Sequence, residues 1–237
     1  MISALEQFVY YDTALKDDVV NLPGISLELA VASASLPRET QEHLQVGLQR
    51  ACRKLCFMWH AGKSAIETER EWYATTIQGA PVLFGQDAVR VGYDLEAMVL
   101  FARSALDIAA RVFGTTLPDP FEKKRYDSFN DLVKKVLKQR APESLHVYLE
   151  PLRKDESSWL SAISGSERGR SLRDQITHQT EFPLEYIRPR SEDEKMHAAV
   201  FFGGRSPSLP DFVSNLTLGI LDGFRHFETS CVAHLKK

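Results

Sequence analysis

Residues 86–113, QDAVRVGYDLEAMVLFARSALDIAARVF, carry the clearest helical pattern in this 237-residue chain. Apolar side chains recur every three or four residues and would share one face of an α-helix. They are Leu95, Met98, Ala102, Leu106, Ala109 and Phe113. Gly114 follows directly, as is typical of the residue that ends a helix. The stretch therefore predicts one long amphipathic helix.

The segment before it has the same period, which begins near Thr40. Its apolar stripe comprises Leu44, Leu48, Cys52, Leu55, Cys56, Trp59, Ile66, Tyr73 and Ile77. The stripe fits either one helix of about 35 residues or two helices that break near Gly62. Two antiparallel amphipathic helices of this length would form the spine of a helical bundle.

The rest of the chain predicts shorter helices and one long final helix. Ser128 is placed to cap a short helix, and another helix follows Pro142. Pro210 begins the last helix, whose apolar stripe is Val213, Leu216, Ile220, Phe224, Phe227 and Cys231. The helical pattern thus continues almost to the end of the chain.

Between these helices the pattern changes once. Two short apolar runs flank the charged turn SEDEK at 191–195, which predicts a small β-hairpin. The predicted fold is mainly α, a helical bundle with long antiparallel helices and a small late β-hairpin. We expect a single domain over 1–237, with its core at 40–180 and the hairpin and final helix at 184–235. Residues 1–34 fit either helix or strand.

Composition excludes some classes of protein. The net charge is −3, so no global field attracts nucleic acid or a membrane surface, and a cationic site would have to be local. No apolar run has the length of a membrane span, and the N-terminus lacks a signal pattern. We therefore expect a cytoplasmic protein with no membrane contact. The sequence also lacks a Gly-rich phosphate loop and a His-Glu-x-x-His motif, and we predict no cofactor.

Three cysteines do not imply a disulfide framework. Cys52, Cys56 and His60 are spaced four and four, so they could line one helix face and bind a metal. The two cysteines also belong to the apolar stripe, where free cysteine commonly serves as a small core residue. We therefore predict no metal site.

The polar stretch SLRDQITH at 171–178 contains the chemically interesting residues. Leu172 and Ile176 give it an apolar edge, and one short helix would present Arg173, Asp174 and His178 together. Gly165 and Ser166 supply a break and a candidate N-cap upstream. Arginines followed by a histidine after four to six intervening residues recur in Arg38/His43, Arg53/His60, Arg140/His146 and Arg190/His197, so the context rather than the spacing distinguishes this stretch.

Together with residues 93–111, YDLEAMVLFARSALDIAAR, this stretch resembles the HEPN superfamily of helical-bundle proteins. Arg173, Asp174 and His178 fall on the family's Arg-polar-x(3–5)-His signature, and the resemblance covers about residues 40–180. It implies a metal-independent endoribonuclease or an RNA-binding, toxin-like protein, with the site at a homodimer cleft. It also implies RNA and a nucleotidyltransferase-like antitoxin as partners.

The residue types suit that chemistry. His178 titrates near neutral pH and can move a proton, and Arg173 can stabilise a charged phosphorane-like transition state. Asp174 would orient His178 or hold Arg173 in position. Arg170 would contact a phosphate of the substrate.

Glu96, Arg103 and Asp107 share another helix face and would form an exposed ion-pair stripe. If that face borders the cleft, Asp107 or Glu96 would support Arg173. Trp159, Phe182 and Tyr186 could stack bases or belong to the core.

A second interpretation stays open. Arg173 and Asp174 would then form a solvated surface pair, and His178 would cap the end of its helix. The protein would be a catalytically inactive helical interaction or scaffold protein. Whether the chain is an enzyme depends on which interpretation holds.

Overall fold

The computed structural model describes residues 27–76, 86–117, 128–167, 169–178, 182–187 and 197–236. The described part of the chain is mainly helical, with a two-stranded antiparallel sheet late in the sequence, as the pattern predicts. In chain order its elements are α1 (Leu27–Ala32), a 3-10 turn (Ser33–Ser35), α2 (Arg38–Thr76), α3 (Gln86–Phe113), α4 (Phe129–Gln139), α5 (Glu143–Lys154), α6 (Trp159–Ser164), α7 (Leu172–His178), β1 (Leu184–Ile187), β2 (His197–Val200) and α8 (Leu209–Leu235). None of the described helices has both the length and the apolar character needed to cross a membrane.

Helix α2 is a single helix of 39 residues, so the chain passes Gly62 without a break. A Cβ at Gly62 would lie 2.7 Å from Val213 Cγ1 and 3.0 Å from Met98 Sδ. Glycine is used at this position for close helix packing rather than to end the helix.

Helices α2 and α3 run antiparallel, as predicted. Phe57 packs on Phe101 with ring centroids 5.4 Å apart, and further along α2 Ser64 Oγ donates to Asp94 Oδ2 at 2.7 Å. Between these two contacts the residue numbers rise along α2 and fall along α3, which is the antiparallel arrangement. The α3 stripe that the sequence predicts for the core is buried along its whole length.

The chain divides into two compact units. Unit one is formed by the described residues of Met1–Cys56, Ala102–Pro151 and Ile220–Lys237, and unit two by those of Phe57–Phe101 and Leu152–Gly219. Each unit therefore draws on segments that are far apart in sequence.

An aromatic cluster forms the centre of unit one. Phe227 stacks on Phe113 at 5.8 Å and meets Phe129 edge-on at 5.7 Å. Each ring comes from a different helix, and all three are buried. The cluster fixes α3, α4 and α8 against one another within this unit.

In unit two the hairpin pairs Leu184 with Val200 and Ile187 with His197. The backbone N–H of Ala198 in β2 donates to the buried Glu69 carboxylate at 2.6 Å, which ties the sheet to α2. The charged turn predicted at 191–195 lies outside the described residues.

Serine caps begin several helices. Ser128 caps α4 as predicted, because its hydroxyl accepts the Asp131 N–H at 3.3 Å. Ser158 caps α6 in the same way through the Ser161 N–H at 3.0 Å. The sequence pattern did not separate α6 from the polar segment after it, since this helix has six residues and all are buried.

Candidate functional site

The start of α7 is fixed by a cap and by burial. The Asp174 N–H donates to Ser171 Oγ at 3.0 Å, and both Ser171 and Leu172 are buried. Ser166, which the sequence suggests as the cap, instead accepts the Gly169 N–H at 2.7 Å within the preceding turn. The segment thus enters its helix with a defined orientation, and Ser171 is the residue that sets it.

The turn before α7 is held by a guanidinium that the sequence pattern did not single out. Arg153 Nη1 donates to the carbonyl oxygens of Ser164, at 2.9 Å, and of Gly165. Desolvation by burial lowers the pKa of Arg153, and the charge of Glu167 opposes that shift. A basic residue in the last turn of a helix is too common to suggest this role from sequence alone.

Arg173 and Asp174 form an ion pair on the surface. Arg173 Nη1 lies 2.9 Å from Asp174 Oδ1, and the side chains are 44% and 39% exposed. This contact is the one that the second role considered for Asp174, holding Arg173 in position, requires, and the role itself stays a prediction. His178 is the last residue of α7, and its side chain lies outside the described residues. Its position beside Arg173 stays a prediction.

An open cleft of about 230 Å³ lies beside this segment, within unit two. Its lining includes Glu156, Ser166, Arg170, Gln175, Phe201 and Gly204. The predicted phosphate contact Arg170 is exposed on this cleft. Arg173 and Asp174 are not among the described residues that line it, so the cleft and the ion pair are neighbouring features of one segment.

Asp107 is engaged in unit one. Its Oδ2 accepts from Arg103 Nε at 2.9 Å, and its Oδ1 accepts from the Phe129 N–H at 2.8 Å. Arg103 also donates to Asn130 Oδ1 at 3.0 Å. Arg103 and Asp107 thus form one ion pair on the face where an exposed stripe was expected, but this pair is shielded rather than exposed, and it anchors the start of α4.

Glu96 is half-buried on the segment of α3 that belongs to unit two, the unit of Arg173. Asp107 belongs to unit one and has the structural partners described above. Support of Arg173 by Glu96 or Asp107 stays a prediction.

The three cysteines are buried and carry no disulfide. Burial is the largest cause that raises the pKa of Cys52 to about 12 and that of Cys56 to about 11. A cysteine binds a metal ion as its thiolate, and burial disfavours the ionisation of these two thiols. His60 is exposed. Within the described ranges no three His, Cys, Asp or Glu side chains lie close enough together to hold a metal ion.

The two aromatic residues among the described lining of the cleft, Phe201 and Phe202, are not among those considered from the sequence. Trp159 and Phe182 are buried, and Tyr186 is half-buried with its pKa raised, first by desolvation and then by the charge of Glu69. Phe201 is 50% exposed and lines the cleft. The sequence does contain a signal for an exposed ring here, since Phe201 and Phe202 are adjacent at the end of a strand. Neighbouring residues of a strand face opposite sides, so one of the two rings should be exposed.

Comparison with protein-family models, with curated proteins and with solved structures finds no match to this chain. The chemistry of the site therefore has to be inferred from its own residues.

Proposed function

We propose that the protein is a cytoplasmic, HEPN-like RNA-binding protein that cleaves RNA without a metal and works as a homodimer. Two copies of the segment that carries Arg173 and His178 would meet to complete one site. The observation that carries the proposal is the Arg173 guanidinium, which is exposed at the surface and paired with Asp174 on a helix whose start is capped by Ser171.

The proposed reaction uses the RNA itself as the nucleophile. The ribose 2′-oxygen attacks the adjacent phosphorus and loses its proton to the His178 imidazole, acting as a base. The bond from phosphorus to the 5′-oxygen breaks, and that oxygen takes a proton from the imidazolium of the second copy. The products are a 2′,3′-cyclic phosphate and a 5′-hydroxyl. Arg173 would stabilise the negative charge on the phosphorane-like transition state.

Local charge supports RNA as the ligand. The chain carries a net charge of −3, yet Arg170 and Arg173 are both exposed within four residues of sequence. Two such cations can neutralise neighbouring phosphates, and binding should weaken as salt rises. The resemblance to HEPN proteins adds a nucleotidyltransferase-like antitoxin as a proposed partner.

The test is incubation of single-stranded RNA with purified protein in EDTA. Wild type should cleave it, and Arg173→Ala and His178→Ala should each reduce the rate by roughly 100-fold or more. Arg38→Ala and His43→Ala are the matched controls, because this exposed pair has the same spacing on another helix. Equal cleavage by all five proteins would assign the activity to a contaminant and remove the proposal.

The dimer is tested separately. Sedimentation of the wild type should report twice the chain mass of 26.8 kDa at the concentrations that cleave RNA. Cleavage by a strictly monomeric protein would contradict a shared site.

A second candidate function is a non-enzymatic interaction protein. The observation that favours it is the closed ion pair between Arg173 and Asp174, since an exposed pair of this kind is common on surfaces. In that case His178→Ala lowers the melting temperature while neither variant nor wild type binds RNA.

A further inference from the structure

Phe201 is exposed although its backbone is firmly held. Its N–H donates to the Pro183 carbonyl at 2.9 Å, and the next residue, Phe202, exchanges two backbone hydrogen bonds with Arg205 at 2.9 and 3.1 Å. Phe202 is buried, so the alternation of the strand turns Phe201 outward. An exposed ring on a rigid backbone can contact a ligand at a small cost in conformational entropy.

The turn that follows Phe201 is equally well defined. Gly203 and Gly204 have φ values of +58° and +71°, which favour glycine. A Cβ at Gly203 would lie 2.5 Å from the Glu156 carbonyl carbon and 2.6 Å from the Ser157 nitrogen. The turn therefore packs directly on the backbone of residues 156–157, and this contact brings the Glu156 side chain to the same cleft as Phe201.

Three chemical functions meet at the cleft. Phe201 supplies an aromatic face, Arg170 a cation, and Glu156 a carboxylate that can only accept hydrogen bonds while ionised. Single exposed apolar residues are common on protein surfaces. Here the exposed ring shares a concave site with two opposite charges, a combination that suits a nucleotide.

The cleft volume limits what can enter. About 230 Å³ is below the roughly 300–1,000 Å³ of pockets that enclose drug-sized ligands. One planar base fits this scale, while the ribose and phosphate would stay outside. Arg170, which is exposed on the rim, can then reach the phosphate.

We propose that the cleft binds one unpaired guanine of the RNA, stacked on Phe201 with its Watson–Crick edge on Glu156. Guanine carries two adjacent donors on that edge, N1–H and N2–H₂, which match the two oxygens of a carboxylate. Uracil has one donor flanked by two acceptors that a carboxylate repels. The choice of a nucleotide rests on the proposed function, and the inference adds the base and the residues that select it.

The test uses guanosine, inosine and uridine 5′-monophosphates with the full chain, and ligand-observed NMR measures binding. Guanosine monophosphate should bind roughly ten-fold more tightly than the other two, because inosine lacks the N2 amine and uridine has a single donor flanked by acceptors in place of two adjacent donors. Its H8 resonance should move upfield as the base stacks on the ring of Phe201.

Variants separate the contributions. Phe201→Ala should weaken guanosine monophosphate binding roughly ten-fold, and Phe201→Trp should preserve it. Glu156→Gln should remove the preference for guanosine over inosine monophosphate. Tyr93→Ala is the matched control, because this tyrosine is 69% exposed in the same unit and does not line the cleft. It should leave binding unchanged. Unchanged melting temperatures would show that each variant is folded.

The outcomes distinguish this inference from the proposed function. RNA cleavage that depends on Arg173, without mononucleotide binding or with binding insensitive to Phe201→Ala, would overturn the base site alone. Equal affinity for the three mononucleotides would overturn the selection of guanine. Binding that depends on Phe201, with no RNA binding or cleavage, would retain the base site and remove the nuclease. No binding of any mononucleotide, together with no RNA binding or cleavage, would remove both.

Discussion

Two arginine–aspartate pairs with the same donor–acceptor distance have opposite surroundings. Arg103 and Asp107 in unit one are 2.9 Å apart and only 14% and 29% exposed. Asp107 also accepts the N–H that begins α4. Arg173 and Asp174 in unit two are 2.9 Å apart as well, and they are 44% and 39% exposed.

The contrast shows that distance does not assign the role of an ion pair. A shielded pair with further hydrogen bonds supports the fold. Removal of one partner leaves the other polar group shielded from water without its hydrogen-bond partner. An exposed pair contributes little to stability, and because it is exposed its groups are accessible for chemistry. Substitutions in the two pairs should therefore differ in the size of their effects.

The largest effect is expected in unit one. Asp107→Ala should lower the free energy of unfolding by about 2 kcal/mol, because the shielded Arg103 guanidinium and the Phe129 N–H lose this carboxylate. Asp107→Asn, which retains an acceptor for the N–H, should lose less. Urea denaturation monitored by circular dichroism measures both. A loss below about 0.5 kcal/mol for the alanine variant would show that this pair is no more structural than the exposed one.

A smaller effect on the free energy of unfolding is expected from the buried thiol of Cys231 in unit one. Burial raises the pKa of the Cys231 thiol from its ordinary 9.0 to about 12. Above pH 9 the thiol ionises in the unfolded chain and stays protonated in the folded one, so its contribution to stability is lost as pH rises toward 12.

Between pH 8 and pH 10 the wild type should therefore lose about 1 kcal/mol more stability than Cys231→Ala. The measurement is urea denaturation of both proteins at each pH. The quantity to compare is how steeply the free energy of unfolding falls with pH in each protein. The substitution also changes packing, which alters the stability at every pH. Parallel pH profiles would indicate that water reaches this part of the core.

The smallest stability effect is expected at the exposed pair. Asp174→Ala should change the free energy of unfolding by less than about 0.5 kcal/mol, since both side chains face solvent and the Asp174 N–H keeps its bond to Ser171. The same variant should slow RNA cleavage, because Arg173 loses the group that positions it. A destabilisation as large as that of Asp107→Ala would erase the contrast between the pairs.

Most of the fold is predictable from local patterns. The limits of α3 and the end at Gly114 follow from the period of its apolar residues, and the cap at Ser128 follows from the side chain itself. The choice between one helix and two around Gly62 does not. It depends on Met98 and Val213, which approach Gly62 from other helices.

The candidate site is predictable only in part. The polar segment around Arg173 was recognisable as a short helix with an apolar edge, and Arg170 and Arg173 are exposed there. Glu156 and Phe201 could not be connected with it, because they lie 45 positions apart in sequence and only the packed Gly203 turn brings them to one cleft.

The helices, their caps and the late hairpin can be read from the amino-acid sequence, because periodicity and capping act between residues a few positions apart. Which arginine–aspartate pair is shielded, which is open, and where a cleft forms are properties of the folded chain. Burial is set by neighbours that come from distant parts of the sequence. Two chemically identical pairs can therefore acquire different roles.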